Sequence, residues 1–171
     1  MINKFLRFIA NNIINIIKYI PFNWSMSLRE KCYKYVLKNV GDSLNICDGV
    51  TINEPFNVSI GNRVSIHPNC WIQGYGGVTI GKYVGIASGT KIISSIHNFS
   101  SIDIPIKKQG ITKEPVVIED DVWIGANAII HGNTIIGHGS IISAGASVSG
   151  KIEPYSIIAG NPGRLIKKRI K

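Results

Sequence analysis

From Ile118 to Val148 an aliphatic residue occupies every sixth position: Ile118, Ile124, Ile130, Ile136, Ile142 and Val148. A helix repeats every 3.6 residues and a strand every two, so this period belongs to neither element alone. Four residues after each of the first five comes a small or β-branched residue, Val122, Ala128, Thr134, Ser140 and Ala146. Gly125 and Gly137 directly follow aliphatic positions, and Gly132, Gly139 and Gly145 punctuate the spaces between. The pattern predicts short strands broken by tight turns, each strand aiming one aliphatic side chain inward and each turn using residues that tolerate positive φ. One hexad cannot bury its own apolar face, so the hexads must stack into an all-β solenoid.

The same rhythm starts earlier, with Ile46, Ile52 and Val58. It shifts by two residues to Ile60, Ile66 and Ile72, and shifts again at the Gly-Tyr-Gly-Gly segment before Ile80, Ile86 and Ile92. Such shifts mark small loops extruded at solenoid corners. From Ser94 to Pro115 the pattern is lost, and the segment carries Asp103, Pro105, Lys107, Lys108, Gln109 and Gly110. A long excursion on a rigid support is where a binding or catalytic loop is expected. Pro154 and Pro162 close the repeat. The chain therefore divides into a helical segment 1–41, a solenoid domain 42–160 with its loop at 94–115, and a basic tail 161–171.

Ahead of the repeat, Ile2, Phe5, Leu6, Ile9, Ile13, Ile16, Ile17 and Ile20 recur at helical spacing and stop at Pro21. Asn3, Lys4, Arg7, Asn11, Asn15 and Lys18 fill the opposite face, too many polar groups for a bilayer span of about 20 apolar residues. Asparagines also interrupt the apolar run expected of a secretory signal, and no small-residue cleavage site follows. Two readings stay open for residues 2–20: a helix lying on an anionic membrane with Phe22 and Trp24 as interfacial anchors, or a cap on the solenoid or a neighbouring subunit. A second helix is expected from Ser27, which forms a capping box with Glu30, through Leu28, Cys32, Tyr35 and Val36 to Gly41. Its basic side, Lys31, Lys34 and Lys38, reads as a solvated face.

The net charge of +9 is concentrated at the two ends, Lys4 to Lys38 including Arg29 at one and Arg164 to Lys171 at the other. That suggests an anionic partner: a membrane surface, a phosphorylated cofactor or nucleic acid. Nucleic acid is set aside, because no recognition motif and no platform of stacking aromatics accompanies the basic clusters. Cys32, Cys47 and Cys70 are odd in number and lack paired-ligand spacing, which favours a reducing compartment over a disulfide framework or zinc site.

Three ordered motifs carry a family resemblance: His97-Asn98-Phe99, Asp121-Val-Trp-Ile-Gly-Ala-Asn127, and Ile157-Ile-Ala-Gly-Asn-Pro-Gly-Arg-Leu-Ile166. The sequence resembles the hexapeptide-repeat acyltransferases, over nearly all of the chain after Gly41. The resemblance implies a left-handed parallel β-helix, a homotrimer, and acetyl-CoA as co-substrate. No metal is expected, because the histidines are widely and irregularly spaced. The Ile-Pro-Ile and Gln-Gly between the first two motifs make it most similar to bacterial sugar and polysaccharide O-acetyltransferases, which act on capsule, O-antigen or exopolysaccharide precursors in the cytoplasm. An amino group on a nucleotide-linked sugar, an antibiotic hydroxyl, and a β-helical scaffold without chemistry are the alternatives.

His97 matches the family's catalytic histidine. A sugar hydroxyl is a poor nucleophile at neutral pH, and an imidazole can accept its proton as the oxygen attacks a thioester carbonyl. His67 stands where galactoside enzymes carry an asparagine that holds the acceptor or the thioester, and Asn98 flanks the acceptor; a turn histidine before Pro68 is the other reading of His67. Trp123 matches a tryptophan beside the pantetheine arm, with packing under the long loop as the alternative. Ala126 and Ala144 match positions whose backbone contacts the pantetheine amides, so oxyanion stabilisation at Ala126 would come from a backbone N–H. Ser149 matches a threonine of the coenzyme groove, Gly150 replaces a usual lysine there, and Arg164 and Lys167 match basic residues near the adenosine phosphates. His131 and His138 fall at hexad turns and are expected to face solvent.

Overall fold

The computed structural model describes residues 4–169; Ile2, Asn3 and Lys171, which figure in the sequence reading, lie outside them. The hexads form the three faces of a parallel solenoid. Face one carries six parallel strands: Asn39–Val40, Val58–Ile60, Val78–Ile80, Val116–Ile118, Ile135–Ile136 and Lys151–Ile152. Face two stacks Asn45–Ile46, Ser65–Ile66, Gly85–Ile86, Trp123–Ile124, Ile141–Ile142 and Ser156–Ala159. Face three stacks Thr51–Asn53, Trp71–Gln73, Lys91–Ile92, Ile129–Ile130 and Ser147–Val148.

Each inward aliphatic residue sits on the one three hexads later, Ile118 on Ile136, Ile124 on Ile142 and Ile130 on Val148. Ile66, Ile72, Ile86, Ile92, Ile124, Ile130, Ile136 and Ile142 are wholly inaccessible. Full burial of such a side chain contributes about 1.5–3 kcal/mol, which identifies the stack as the main source of stability. The small residues four positions on fill the corners: Val122, Ala128, Thr134, Ser140 and Ala146 are all buried. Thr134 Oγ1 donates to the His131 carbonyl at 2.6 Å, and Thr90 Oγ1 to the carbonyls of Ala87 and Gly125. A hydroxyl at a corner thus donates to a turn carbonyl, alongside the Ala128 N–H at Gly125 and the Cys70 thiol at Ala87.

Gly139 and Gly145 adopt positive φ. Gly132 does not; Asn133 beside it takes that conformation, and a Cβ at Gly132 would strike the Glu114 side chain. The three breaks in the rhythm all leave the solenoid at the same edge, between faces three and one. They are the 3₁₀ turn Pro55–Asn57, the Gly74–Gly77 segment and the excursion from Ser94 to Pro115. The excursion is more ordered than a loop. Ser95–His97 pairs antiparallel with Ile111–Lys113, and a 3₁₀ turn, Ile106–Lys108, lies between.

Helix α1 spans Lys4–Ile17 and α2 spans Asn23–Val36. The expected start at Ser27 is wrong. Ser27 lies inside α2 and its hydroxyl turns back on the Asn23 carbonyl, while the N-cap is Phe22, which supplies no capping side chain. The buried Ser25 hydroxyl meets the carbonyls of Ile20 and Phe22 and closes the junction between the helices. The helix also ends before Gly41, because the chain extends at Leu37 to enter the first strand, Asn39–Val40. Tyr33, not Tyr35, is the buried tyrosine. Helix α2 packs on the first coil and α1 packs on α2 through Ala10, Ile14 and Ile17, so the pair caps this end of the solenoid.

Arg29 corrects the charge reading. It is 1% exposed, with Nε donating to the Ile46 carbonyl and Nη1 to the carbonyls of Ile17 and Ile20 and to Ser25 Oγ. Burial pushes its pKa down, opposed by Asp48 nearby. This cation is therefore spent inside the cap and is no part of a surface for anions. At the other end the basic tail is not loose: Arg164–Lys168 turns back antiparallel on Ser156–Ala159.

Candidate functional site

The excursion hairpin places His97 at the end of its strand, opposite Ile111. The imidazole is exposed and makes no hydrogen bond among the described residues, so both ring nitrogens are available. Its backbone surroundings are fixed from the other strand. Asn98 Nδ2 donates to the Gln109 carbonyl at 3.0 Å, Thr112 Oγ1 donates to Asn98 Oδ1 at 2.6 Å, and Asn98 N–H donates to the Gly110 carbonyl. Gln109 braces the tip: its Nε2 donates to the carbonyls of Ser101 and Ile104, and its Oε1 accepts from Ser101 N–H. Asn98 thus spends one N–H and one lone pair on the hairpin and retains one of each. Nothing in the sequence alone assigns Gln109 this role; the glycine after it, Gly110 at φ 86°, is the one local mark of a fixed turn there. A cleft of about 560 Å³ runs beside His97, bordered by Ile96, Phe99, Ile104 and Lys108.

His67, Ala126 and Ala144 lie on a different edge, between faces two and three. His67 is exposed at its turn. Ala126 and Ala144 stack in successive coils, with Gly145 N–H donating to the Ala126 carbonyl at 2.8 Å. Neither alanine's own N–H finds an acceptor among the described residues. Gly125 permits the close stacking, since a Cβ there would stand 2.4 Å from the Ala144 nitrogen. Trp123 points outward from face two, 50% exposed, with its ring over Gly85 of the preceding coil. A Cβ at Gly85 would lie 2.8 Å from that ring.

Ser149 and Arg164 border a third region, a cleft of about 340 Å³ at the C-terminal end, together with Lys151 and Lys168. Lys167 is not among its lining residues. Strand alternation across the irregularity at Ile157 and Ile158 brings Lys168 inward instead, where its Nζ bonds the Pro154 carbonyl and Ser156 Oγ. Lys151 is held by Glu153 at 2.9 Å, an ion pair that raises the lysine pKa and lowers that of the glutamate. The cleft beside His97 includes none of Trp123, Ala126, Ala144, Ser149 or Arg164. One chain alone therefore does not gather the predicted residues into one pocket.

The remaining histidines have structural partners. His131 Nε2 lies 2.8 Å from Ser147 Oγ on an exposed corner. His138 is half-buried rather than solvent-facing, edge-on to Tyr155 at 5.3 Å, because Gly139 leaves room for that ring. Among the described residues no three His, Cys, Asp or Glu side chains come together as metal ligands.

Residues 115–150, the most regular coils, match the family model of the bacterial transferase hexapeptide (six repeats). The chain is a hexapeptide-repeat protein. It is 34% identical over 131 residues to a probable acetyltransferase of Mycobacterium tuberculosis, covering 76% of this chain and 44% of that one. It is 33% identical over 116 residues, 63% of this chain and 58% of the other, to an Escherichia coli protein named for O-acetyl transfer in lipopolysaccharide biosynthesis. This hexapeptide-repeat chain thus spans about half the length of these curated relatives. Its fold matches that of a hexapeptide-repeat acetyltransferase from Vibrio cholerae solved with acetyl coenzyme A, with a TM-score of 0.84 at 24% identity over 98% of this chain and 89% of that one.

Proposed function

We propose that this protein is an acetyl-CoA-dependent O-acetyltransferase acting on a sugar hydroxyl of a bacterial surface polysaccharide or its precursor. The observation that carries the reading is His97: an exposed imidazole without a hydrogen-bond partner among the described residues, on a hairpin that Asn98 and Gln109 brace. In the reaction His97 takes the proton of the acceptor hydroxyl as its oxygen attacks the thioester carbonyl. The tetrahedral intermediate collapses with cleavage of the C–S bond, and the imidazolium returns the proton to the departing coenzyme A sulfur. No acyl-enzyme forms. The free N–H of Ala126 or Ala144 suits the developing oxyanion or the pantetheine amides, and Trp123 offers a flat wall to the pantetheine arm.

Lys168 and Arg164, beside Ser149, suit the coenzyme phosphates. Because these groups lie on separate edges, the site closes when His97 of one copy faces the groove of the next in a homotrimer. His67 and the free valences of Asn98 would then meet the acceptor. An acetyl-CoA donor supports a cytoplasmic site of reaction. The names of the two curated relatives support acetyl transfer, and that of the Escherichia coli protein supports a saccharide acceptor.

The test compares wild type with His97→Ala for coenzyme A release from acetyl-CoA across polysaccharide fragments, nucleotide sugars and antibiotics, alongside a thermal-shift titration with acetyl-CoA. Loss of general-base help costs about 10²–10⁴ in rate, with the donor-dependent shift retained. A His97→Ala enzyme as fast as wild type rejects the assigned role, and absence of any shift with acetyl-CoA rejects the donor.

A further inference from the structure

Helix α1 uses only part of its apolar surface as a cap. Ala10, Ile14 and Ile17 face inward and are buried. Ile9 and Ile16, seven residues apart, form an adjacent row that stays outside, at 37% and 77% exposure, with Phe8 at 68% on its flank. The α1–α2 junction that follows adds Tyr19, Phe22 and Trp24, all more than half exposed. Single exposed apolar residues need no explanation, whereas this many within one short cap, with a tyrosine and a tryptophan among them, mark a docking surface.

The charge pattern selects the occupant. Lys4 stands one turn from Phe8 and Lys18 lies over the Tyr19 ring at 5.0 Å, while Arg7 lies on the polar side; no Asp or Glu precedes Glu30. Arg29, the other cation of this stretch, is buried and plays no part. An all-cationic rim opposes docking against a second copy of the same face and favours an anionic one. Asn11 and Asn15 fill the polar side without charge, and Asn12, whose Nδ2 donates to the Phe8 carbonyl, interrupts the apolar face between Phe8 and Ile16. Among the described residues no helix is long and apolar enough to cross a membrane, so the contact is one of lying on the surface.

We propose that the outer face of α1 together with Tyr19, Phe22 and Trp24 docks this protein on an anionic lipid surface. The apolar row enters the headgroup boundary, the aromatic junction sits at its depth, and the cations meet lipid phosphates. This stands apart from the transferase reading, since it uses none of that reading's residues.

Full-length protein is sedimented with vesicles of phosphatidylcholine alone and of phosphatidylcholine mixed with phosphatidylglycerol. Binding is expected on the mixed vesicles, weakened about fivefold for each cation that is lost. Lys4→Gln with Lys18→Gln should therefore bind roughly 20–30-fold less tightly. Phe8→Ser with Ile16→Ser, both at exposed positions, should abolish binding while leaving the melting temperature and the acetyl-CoA-dependent shift unchanged. Trp24 emission should shift to the blue on mixed vesicles, a change absent in Trp24→Phe. Equal binding to both vesicle types, or to neither, overturns the proposal. So does a fall in solution molar mass for the Phe8→Ser, Ile16→Ser protein, which would make the face a contact between copies.

Discussion

Arg29→Met tests whether one buried guanidinium holds the cap to the solenoid. The substitution keeps an apolar stem of similar length and deletes the donors to Ile17, Ile20, Ser25 and Ile46. A hydrogen bond from a charged donor contributes about 1.5–3 kcal/mol, and four of them give a gross loss of about 6–12 kcal/mol. Removing the charge also lifts its burial cost, several kcal/mol for an ion that no carboxylate among the described residues contacts directly. The net expected loss is about 3–5 kcal/mol, a large share of the ~5–15 kcal/mol that stabilises an ordinary domain.

The loss should be local. Stacked coils interact mainly with nearest neighbours, so the cap opens before the coils unfold. Native-state hydrogen exchange should accelerate about 10²–10⁴-fold at the amides of α1 and α2 and little in the strands around Ile130. Salt should not alter the difference, since screening acts weakly on buried groups. Arg29→Lys should recover only part of it, because an ammonium cannot reproduce the planar fork between three carbonyls. Exchange in α1 within a factor of about three of wild type would refute the reasoning.

Three further outcomes follow from positions described above. Gly125→Ala places a Cβ 2.4 Å from the Ala144 nitrogen and should cost about 1–3 kcal/mol or more in a denaturant melt, whereas Gly145→Ala, in open space at φ 69°, should cost only the left-handed penalty of about 1–2 kcal/mol. Equal costs would show that the coils shift apart freely. Burial pushes the Cys70 thiol up to about 11, so its contribution favours the folded state fully below about pH 9 and is lost as pH rises through 11. The melting temperature should fall across that window, less steeply in Cys70→Ala, and iodoacetamide at pH near 8 should label half-buried Cys47 well ahead of Cys32 and Cys70. Gln109→Ala removes three hydrogen bonds at the hairpin tip and should raise protease sensitivity between Ser100 and Lys108 with little change in the global melt; a rigid tip in the variant would contradict the bracing role.

The sequence made the inward stack legible because an aliphatic residue every sixth position has no other economical burial, and Ile118, Ile124 and Ile130 sit as the period requires. It was less informative where one residue type serves two ends. Ser27 with Glu30 has the spelling of a capping box, yet Ser25 takes the junction carbonyls and the helix begins earlier. Arg29 reads like Lys31 and Lys34 until tertiary contacts bury it. The Ser94–Pro115 excursion was visible as a break, but its pairing was not, because three-residue strands carry too little alternation to register. The site residues fell on identifiable corners by counting hexads. Lys167 and Lys168 were not separable, since a local irregularity between Ile157 and Ile158 decides which one turns inward.

All three insertions leave the solenoid at one edge, between faces three and one, and the aliphatic column resumes in register after each. Chain length at that edge is decoupled from the packing that holds the molecule up, while the other two edges are locked by their stacked turns. Evolution or design can lengthen, shorten or exchange the His97 hairpin there and leave the scaffold intact. The solenoid thus acts as a chassis with a single open slot, and under the proposed function substrate choice is the property most easily fitted into it.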